Sequence, residues 1–332
     1  MSALQPSQLV EAAFESAVPP EGHRTRSAHQ APAACYWTED TEIVAPRFTC
    51  RKPPPYARPK KSLPTSGRTA AKPLLSAALA KQHASSDNML IVTYINRIRV
   101  DFALAWVRHL VAEKQLHHLV AALDSEALAL LETHGVPCYM LNYSHLGGSD
   151  TGWGTSAFRA LGLVKVQMVL DLAKTGVDVL TVDADALILR DPLPYFRALP
   201  RADVLMSSDH LAATNGYGDT GLEGEAAFGS AFNIGFIFIR SKALEFVQEW
   251  RDACFAHESS WDQSLFASVL RRGGRNYHRS DRLQPMFRLK SGEQLLAGVL
   301  PVSLFAGGHT FFVTRMSHLM HEHPYMVHTT FQ

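Results

Sequence analysis

The sequence predicts an α/β protein with a mostly parallel sheet flanked by helices, and three observations predict it. From Asn88 onward, short apolar runs alternate with segments of helical periodicity, the pattern of strands joined by crossover helices. The stretch before it differs in kind, since eleven of the 18 prolines fall between Pro6 and Pro73. Third, the run Val177–Phe196 (VDVLTVDADALILRDPLPYF) places Asp183 and Asp185 directly after an apolar strand, the edge at which open α/β sheets bind ligands.

Residues 1–86 read as a disordered Pro-rich arm or stem. Prolines interleaved with the basic residues of Arg51–Lys72 bury too little apolar surface to offset chain entropy. One domain is expected over 87–332, opening with a buried strand at Met89–Tyr94. A helix over Asp101–Glu113 follows, with Phe102, Trp106, Leu110 and Val111 on one side. Leu119–Leu123 is a strand, Ser125–Thr133 a helix stopped by His134-Gly135, and Val136–Leu141 a third strand. A glycine-rich loop, Gly147–Gly154, then precedes a helix capped by Thr155 or Ser156 and ended by Gly176. The aspartate-bearing strand comes next, then strands at Val204–Ser207 and Asn233–Ile239. Helices at Lys242–Phe255 and Trp261–Arg271 and a strand at Gly298–Val302 complete the series.

A chain of 332 residues, 46% hydrophobic and 19% charged, can bury a large core without disulfides. Its net charge of +1 provides no field for recruiting nucleic acid or an acidic membrane surface. Cys35, Cys50, Cys138 and Cys254 lack the close spacing of a zinc site or redox dithiol. No membrane anchor is expected: the longest uncharged stretch, Gln294–Thr314, is broken by Pro301 and Gly307-Gly308-His309.

Asp183 and Asp185 are two apart, so on an extended chain both carboxylates point the same way, toward one Mg²⁺ or Mn²⁺. Asp-x-Asp also starts ordinary turns, and that reading competes. Lys165 falls within the apolar stripe Phe158, Leu161, Met168 and Leu172 of its helix. A charge there either snorkels to water or reaches a phosphate at the sheet edge. In the C-terminal run MVHTTFQ, His328 offers an imidazole that could be a third ligand. His318, His321 and His323 read as surface residues. Asn233 opens a strand and Asp262-Gln263 a helix, each a place for a cap or for reading sugar hydroxyls.

Eight segments in order, from IVTYINRIRVDFALAWVRHL through VDADALILRDPLPYF, FNIGFIFIR and WDQSLF to PYMVHTTFQ, resemble the plant nucleotide-diphospho-sugar transferases of glycosyltransferase family 77, most closely the extensin arabinosyltransferases. The resemblance covers Asn88–Gln332. It implies a GT-A fold and Mn²⁺-dependent (or Mg²⁺-dependent) transfer of a pentose from a UDP-sugar with retention of configuration. The implied donor is UDP-L-arabinofuranose and the implied acceptor an arabinosylated, hydroxyproline-rich cell-wall glycoprotein. It implies that Asp183, Asp185 and His328 hold the metal, that Thr93 and Asn96 contact the nucleotide with Lys165 on the diphosphate side, and that Asp262 and Gln263 face donor sugar or acceptor; Asn233, from its place at the mouth of a strand, joins them as a candidate catalytic residue. It also implies a Golgi address with a signal anchor, and a basic segment after HTTFQ. Neither stands in this sequence, so the alternative reading is a shortened homologue that binds a sugar nucleotide or protein partner without turnover.

Overall fold

The computed structural model describes residues 72–112, 117–141, 155–273 and 281–329, together with the backbone of two short strands, β1 (Ala34–Trp37) and β2 (Phe48–Arg51). These two pair antiparallel by themselves. The rest of the expected arm up to residue 71 and the loop Gly147–Gly154 lie outside the described residues.

Residues 72–86 are part of the domain rather than of an arm. Helix α1 (Ala77–His83) is capped by Ser76, whose Oγ accepts from the Leu79 amide. Leu75, Leu79, fully buried Ala80 and Ala84 supply the apolar stripe that packs it on the core. A short helix with four small or apolar inward positions gains enough burial to hold, despite its proline-rich neighbourhood.

The first half of the sheet is the parallel series β3 (Met89–Ile95), helix α2 (Val100–Ala112), β4 (His118–Ala122), α3 (Ser125–Thr133) and β5 (Cys138–Met140). Helix α4 (Ser156–Lys174), N-capped by Thr155, then returns the chain to β6 (Asp178–Val182) on the other side of β3. After β7 (Ala186–Ile188) and α5 (Leu193–Arg197) come β8 (Val204–Ser208) and β9 (Phe232–Ile239), and β9 runs antiparallel between β6 and β8. Helices α6 (Leu244–Ala256) and α7 (Asp262–Leu270) precede β10 (Gln284–Arg288) and β11 (Gln294–Val299). The resulting order is β10-β11-β8-β9-β6-β3-β4-β5. The parallel half gives the expected α/β architecture, and the other half is mixed.

A second sheet was not expected. Strands β12 (Phe305–Gly307) and β13 (Met326–His328) flank the small helix α8 (Met316–Leu319), and β13 lies between β12 and β7. Its strands are three residues each, too short for a period-two pattern to be read.

Two cores face each other across the large sheet. On one side α4, α6 and α7 bury Met168, Phe246, Trp250 and Phe266; on the other α2, α3 and the small sheet bury Trp106, Leu128, Phe196 and Phe305. Central strands buried on both faces are mostly apolar, which is why β3 and β9 read as near-continuous hydrophobic runs interrupted only by Thr93 and Asn233 among polar residues. The inward stripe of α2 is Ala103, Trp106, Val107 and Leu110, whereas Phe102 and Val111 are 39% and 46% exposed. The helix is rotated so that small Ala103 lets it approach the sheet, and the expected face was one residue off.

Candidate active site

The strand order reverses between β3 and β6, because the chain goes from β3 to β4 and β5 on one side and returns to β6 on the other. The carboxyl ends of these neighbours form the crevice in which open α/β sheets hold ligands. Asp183 and Asp185 leave β6 there. The Asp183 amide donates to the Gly235 carbonyl of β9 at 2.8 Å, and a turn with Ala186 N–H on the Asp183 carbonyl at 2.9 Å leads into β7.

The small sheet brings in His328, the third residue of the group. In the β13–β7 register His328 faces Ala186, and Thr329 donates to the Asp185 carbonyl through its amide (3.2 Å) and its hydroxyl (2.9 Å). The His328 Nε2 consequently stands 3.2 Å from Asp185 Oδ1. One donor atom each from Asp183, Asp185 and His328 lies within 4.8 Å of the others. His328 is buried, while the side chains of Asp183 and Asp185 are 27% and 39% exposed. Two carboxylate oxygens and one imidazole nitrogen with an open side suit Mn²⁺ or Mg²⁺, leaving room for phosphate oxygens.

Electrostatics fit the same use. Burial pushes the Asp185 carboxyl up, but the hydrogen bond and charge of His328 outweigh it and leave the group below the usual carboxylate value. Burial likewise pushes the His328 imidazole down, and the hydrogen bond and charge of Asp185, with the charge of Asp183, outweigh it and hold the pKa above the ordinary histidine value. The pair therefore attracts positive charge, whether proton or metal.

Lys165 does not snorkel. It is 2% exposed, and its Nζ donates to Asp183 Oδ1 and to the Ile234 carbonyl, both at 2.7 Å. The ammonium thus anchors the Asp183 carboxylate from behind. One turn earlier on α4, Gly162 makes room for Asp262: a Cβ there would stand 2.8 Å from Asp262 Cγ. The Asp262 carboxyl is raised by burial first, with Lys165 opposing and Asp183 reinforcing the shift.

Gln263 accepts from the Ile234 amide and donates to Asp209 Oδ2, both at 3.3 Å. Asp209 also receives Asn233 Nδ2 at 2.7 Å. It borders a shallow depression between residues 208–211 and 307–310. Asp209 and Tyr94 were missed from the sequence. Asp209 carried a signal, an acid at the end of an apolar strand like Asp183. Tyr94 is the last residue but one of β3, and its hydroxyl is pushed well above its usual pKa by burial and by Asp183, Asp262 and Asp185.

Thr93 is not brought to this site. It is fully buried, its neighbours Val92 and Tyr94 pack on the α4 side, and its hydroxyl finds no hydrogen-bond partner among the described residues. Alternation along a strand turns it to the α2 side. Asn96 lies just past β3, and its side chain caps the turn Arg97–Arg99 by accepting from the Arg99 amide at 3.2 Å. His318, His321 and His323 are exposed, as expected. No helix among the described residues is long and apolar enough to cross a membrane.

A family model described as nucleotide-diphospho-sugar transferase matches residues 113–332. The chain is 36% identical over 254 residues to Arabinosyltransferase XEG113 of Arabidopsis thaliana, covering 74% of this chain and 38% of that protein. It is 29% identical over 133 residues to Beta-arabinofuranosyltransferase RAY1 of the same plant, covering 40% of this chain and 25% of that protein. The matches thus span well under half the length of either relative. Among solved structures, the apo WbbM bifunctional glycosyltransferase has a TM-score of 0.46 at 13% identity, covering 75% of this chain and 46% of the other. The galactosyltransferase LgtC with donor and acceptor sugar analogues has a TM-score of 0.41 at 14% identity, covering 73% and 87%.

Proposed function

The chain belongs to the nucleotide-diphospho-sugar transferase family, and from that premise we propose that it is a Mn²⁺-dependent (or Mg²⁺-dependent) retaining glycosyltransferase. It moves a pentose, L-arabinofuranose, from a UDP-sugar to a glycosylated hydroxyproline-rich cell-wall glycoprotein, and it works in the Golgi. The single observation that carries the reading is the convergence of Asp183, Asp185 and His328 at the switch point of the sheet. The arabinose assignment is supported by the names of the two plant relatives.

In this reading Asp183, Asp185 and His328 hold the cation, which when bound neutralises charge on the leaving diphosphate. Lys165 fixes Asp183 through its 2.7 Å contact and adds positive charge on the diphosphate side. Asn96 and Tyr94, at the end of β3, border the nucleotide. Asp262 and Gln263 face donor sugar and acceptor, set by Gly162 and by the Gln263–Asp209 contact. Much of the rate comes from holding the acceptor hydroxyl on the same face of the donor sugar as the leaving diphosphate, so that a departing phosphate oxygen takes the acceptor proton and configuration is retained.

The test is Mn²⁺-dependent UDP release from a panel of UDP-sugars by wild type and Asp185→Ala. The reading expects turnover highest with the arabinofuranose donor and a loss of about a hundredfold or more in the variant. Equal turnover in the two proteins would overturn it.

A further inference from the structure

We infer that Asn233 and Gly235 position His328, fixing its imidazole with the proton on Nδ1 and the Nε2 lone pair turned toward Asp185 and the cation. The inference rests on reading Asp183, Asp185 and His328 as a cation site. It assigns Asn233 a positioning role in place of a sugar contact.

The amide of Asn233 can be oriented without ambiguity. Its Nδ2 lies 2.7 Å from Asp209 Oδ1, a carboxylate that only accepts, and its Oδ1 lies 2.8 Å from the Gly235 N–H, which only donates. The reversed amide would set donor against donor and acceptor against acceptor. Asn233 Oδ1 is therefore the atom 3.2 Å from His328 Nδ1. An oxygen with no proton holds a ring nitrogen at that distance only if the nitrogen carries one. The other nitrogen, Nε2, is the one beside Asp185. A metal-bound histidine whose distant ring nitrogen donates to a fixed acceptor is oriented and made more basic by it.

Gly235 completes the seat. A Cβ at this position would stand 1.9 Å from His328 Cε1, 2.4 Å from Nδ1 and 2.7 Å from Nε2, so the ring occupies the space any side chain would fill. The same glycine accepts the Asp183 N–H at 2.8 Å, and so one residue touches both halves of the cation site. The local backbone makes this possible. The β8–β9 register jumps from Met206↔Ile237 to Ser207↔Asn233, leaving Ile234, Gly235 and Phe236 without β8 partners. Ser207 Oγ ties the bulge by donating to the Asn233 and Phe236 carbonyls at 3.0 and 3.3 Å. Bulges of this kind re-aim side chains beside active sites.

The test uses the full chain without nucleotide and reads the ring and the cation separately. Long-range ¹⁵N–¹H spectra with saturating Mg²⁺, at a pH where His328 is neutral, should show the proton on Nδ1 in wild type. In Asn233→Ala the proton should shift to Nε2, and Mn²⁺ affinity by calorimetry should fall ten- to a hundredfold, with a melting temperature close to wild type. Exchanging the pair, Asp209→Asn with Asn233→Asp, keeps an acceptor opposite Nδ1 and should restore both the Nδ1 proton and the affinity to within about threefold. Gly235→Ala should lose affinity to the extent that His328→Ala does.

A wild-type proton on Nε2 overturns the inference. So does an Asn233→Ala variant that binds Mn²⁺ like wild type and only raises KM for the donor, the mark of a sugar contact. If wild type and His328→Ala bind Mn²⁺ equally, the cation reading itself fails, while the spectra still decide whether Asn233 holds the ring.

Discussion

A ring nitrogen 3.2 Å from a carboxylate oxygen needs a proton or a cation between the two atoms, and this requirement sets the pH behaviour of the site. Proton and cation compete for His328, whose pKa is raised above 6.5. Mn²⁺ affinity should therefore decline as pH falls, beginning already above pH 6.5, and calorimetric titrations at several pH values should show a proton released on binding. Without metal the signs differ. The His328 contribution to stability is full below pH 6.5 and is lost as pH rises through its raised value, while that of Asp185 is present above 3.8 and lost as pH falls through its lowered one. Thermal melts against pH will report both. Lys165→Met leaves Asp183 Oδ1 and the Ile234 carbonyl without their 2.7 Å donor, a loss on the order of 2–4 kcal/mol in urea unfolding. The aspartates were legible because an acid pair ended an apolar run, and Lys165 because it interrupted an apolar stripe. Its partner was not legible, since sequence spacing does not reveal which acid stands across from a helix, and Thr93 was misplaced because one step along a strand changes faces.

At the scale of elements, the small β12-β13-β7 sheet decides whether His328 meets the aspartates at all. Phe305 of β12 is buried against Tyr195, Phe196, Phe236 and Tyr325, with ring centroids 5.1–5.9 Å away. Phe305→Ala should cost about 3–5 kcal/mol in chemical denaturation, and it should weaken Mn²⁺ binding as well, because β13 loses its neighbour. A core substitution remote from the ligands, such as Trp106→Ala on the α2 face, should cost similar stability and leave Mn²⁺ affinity unchanged. Long strands and capped helices were readable, as with Ser125–Thr133, whose bounds match the sequence reading. The bulge in β9 and the three-residue strands were not, since both arise from pairing between distant segments. Helix α1 was missed because prolines on its N-terminal side masked an ordinary Ser-capped amphipathic turn.

For the whole molecule, the sequence supports alternating strands and helices, but the strand order is a tertiary fact. The return of α4 to the far side of β3 creates the crevice between β3 and β6, and it turns two nearby acids and a distant histidine into one site. If that crevice holds a cation with a sugar nucleotide, then Mn²⁺ and UDP together should raise the melting temperature by more than the sum of their separate effects, through the linkage of binding to folding. The most direct measurement is anomalous diffraction from crystals grown with Mn²⁺ and UDP. A manganese peak within coordination distance of the Asp183 and Asp185 carboxylates and His328 Nε2, in contact with the diphosphate, is the predicted result; UDP bound with no peak there, or with the peak at other residues, would contradict it.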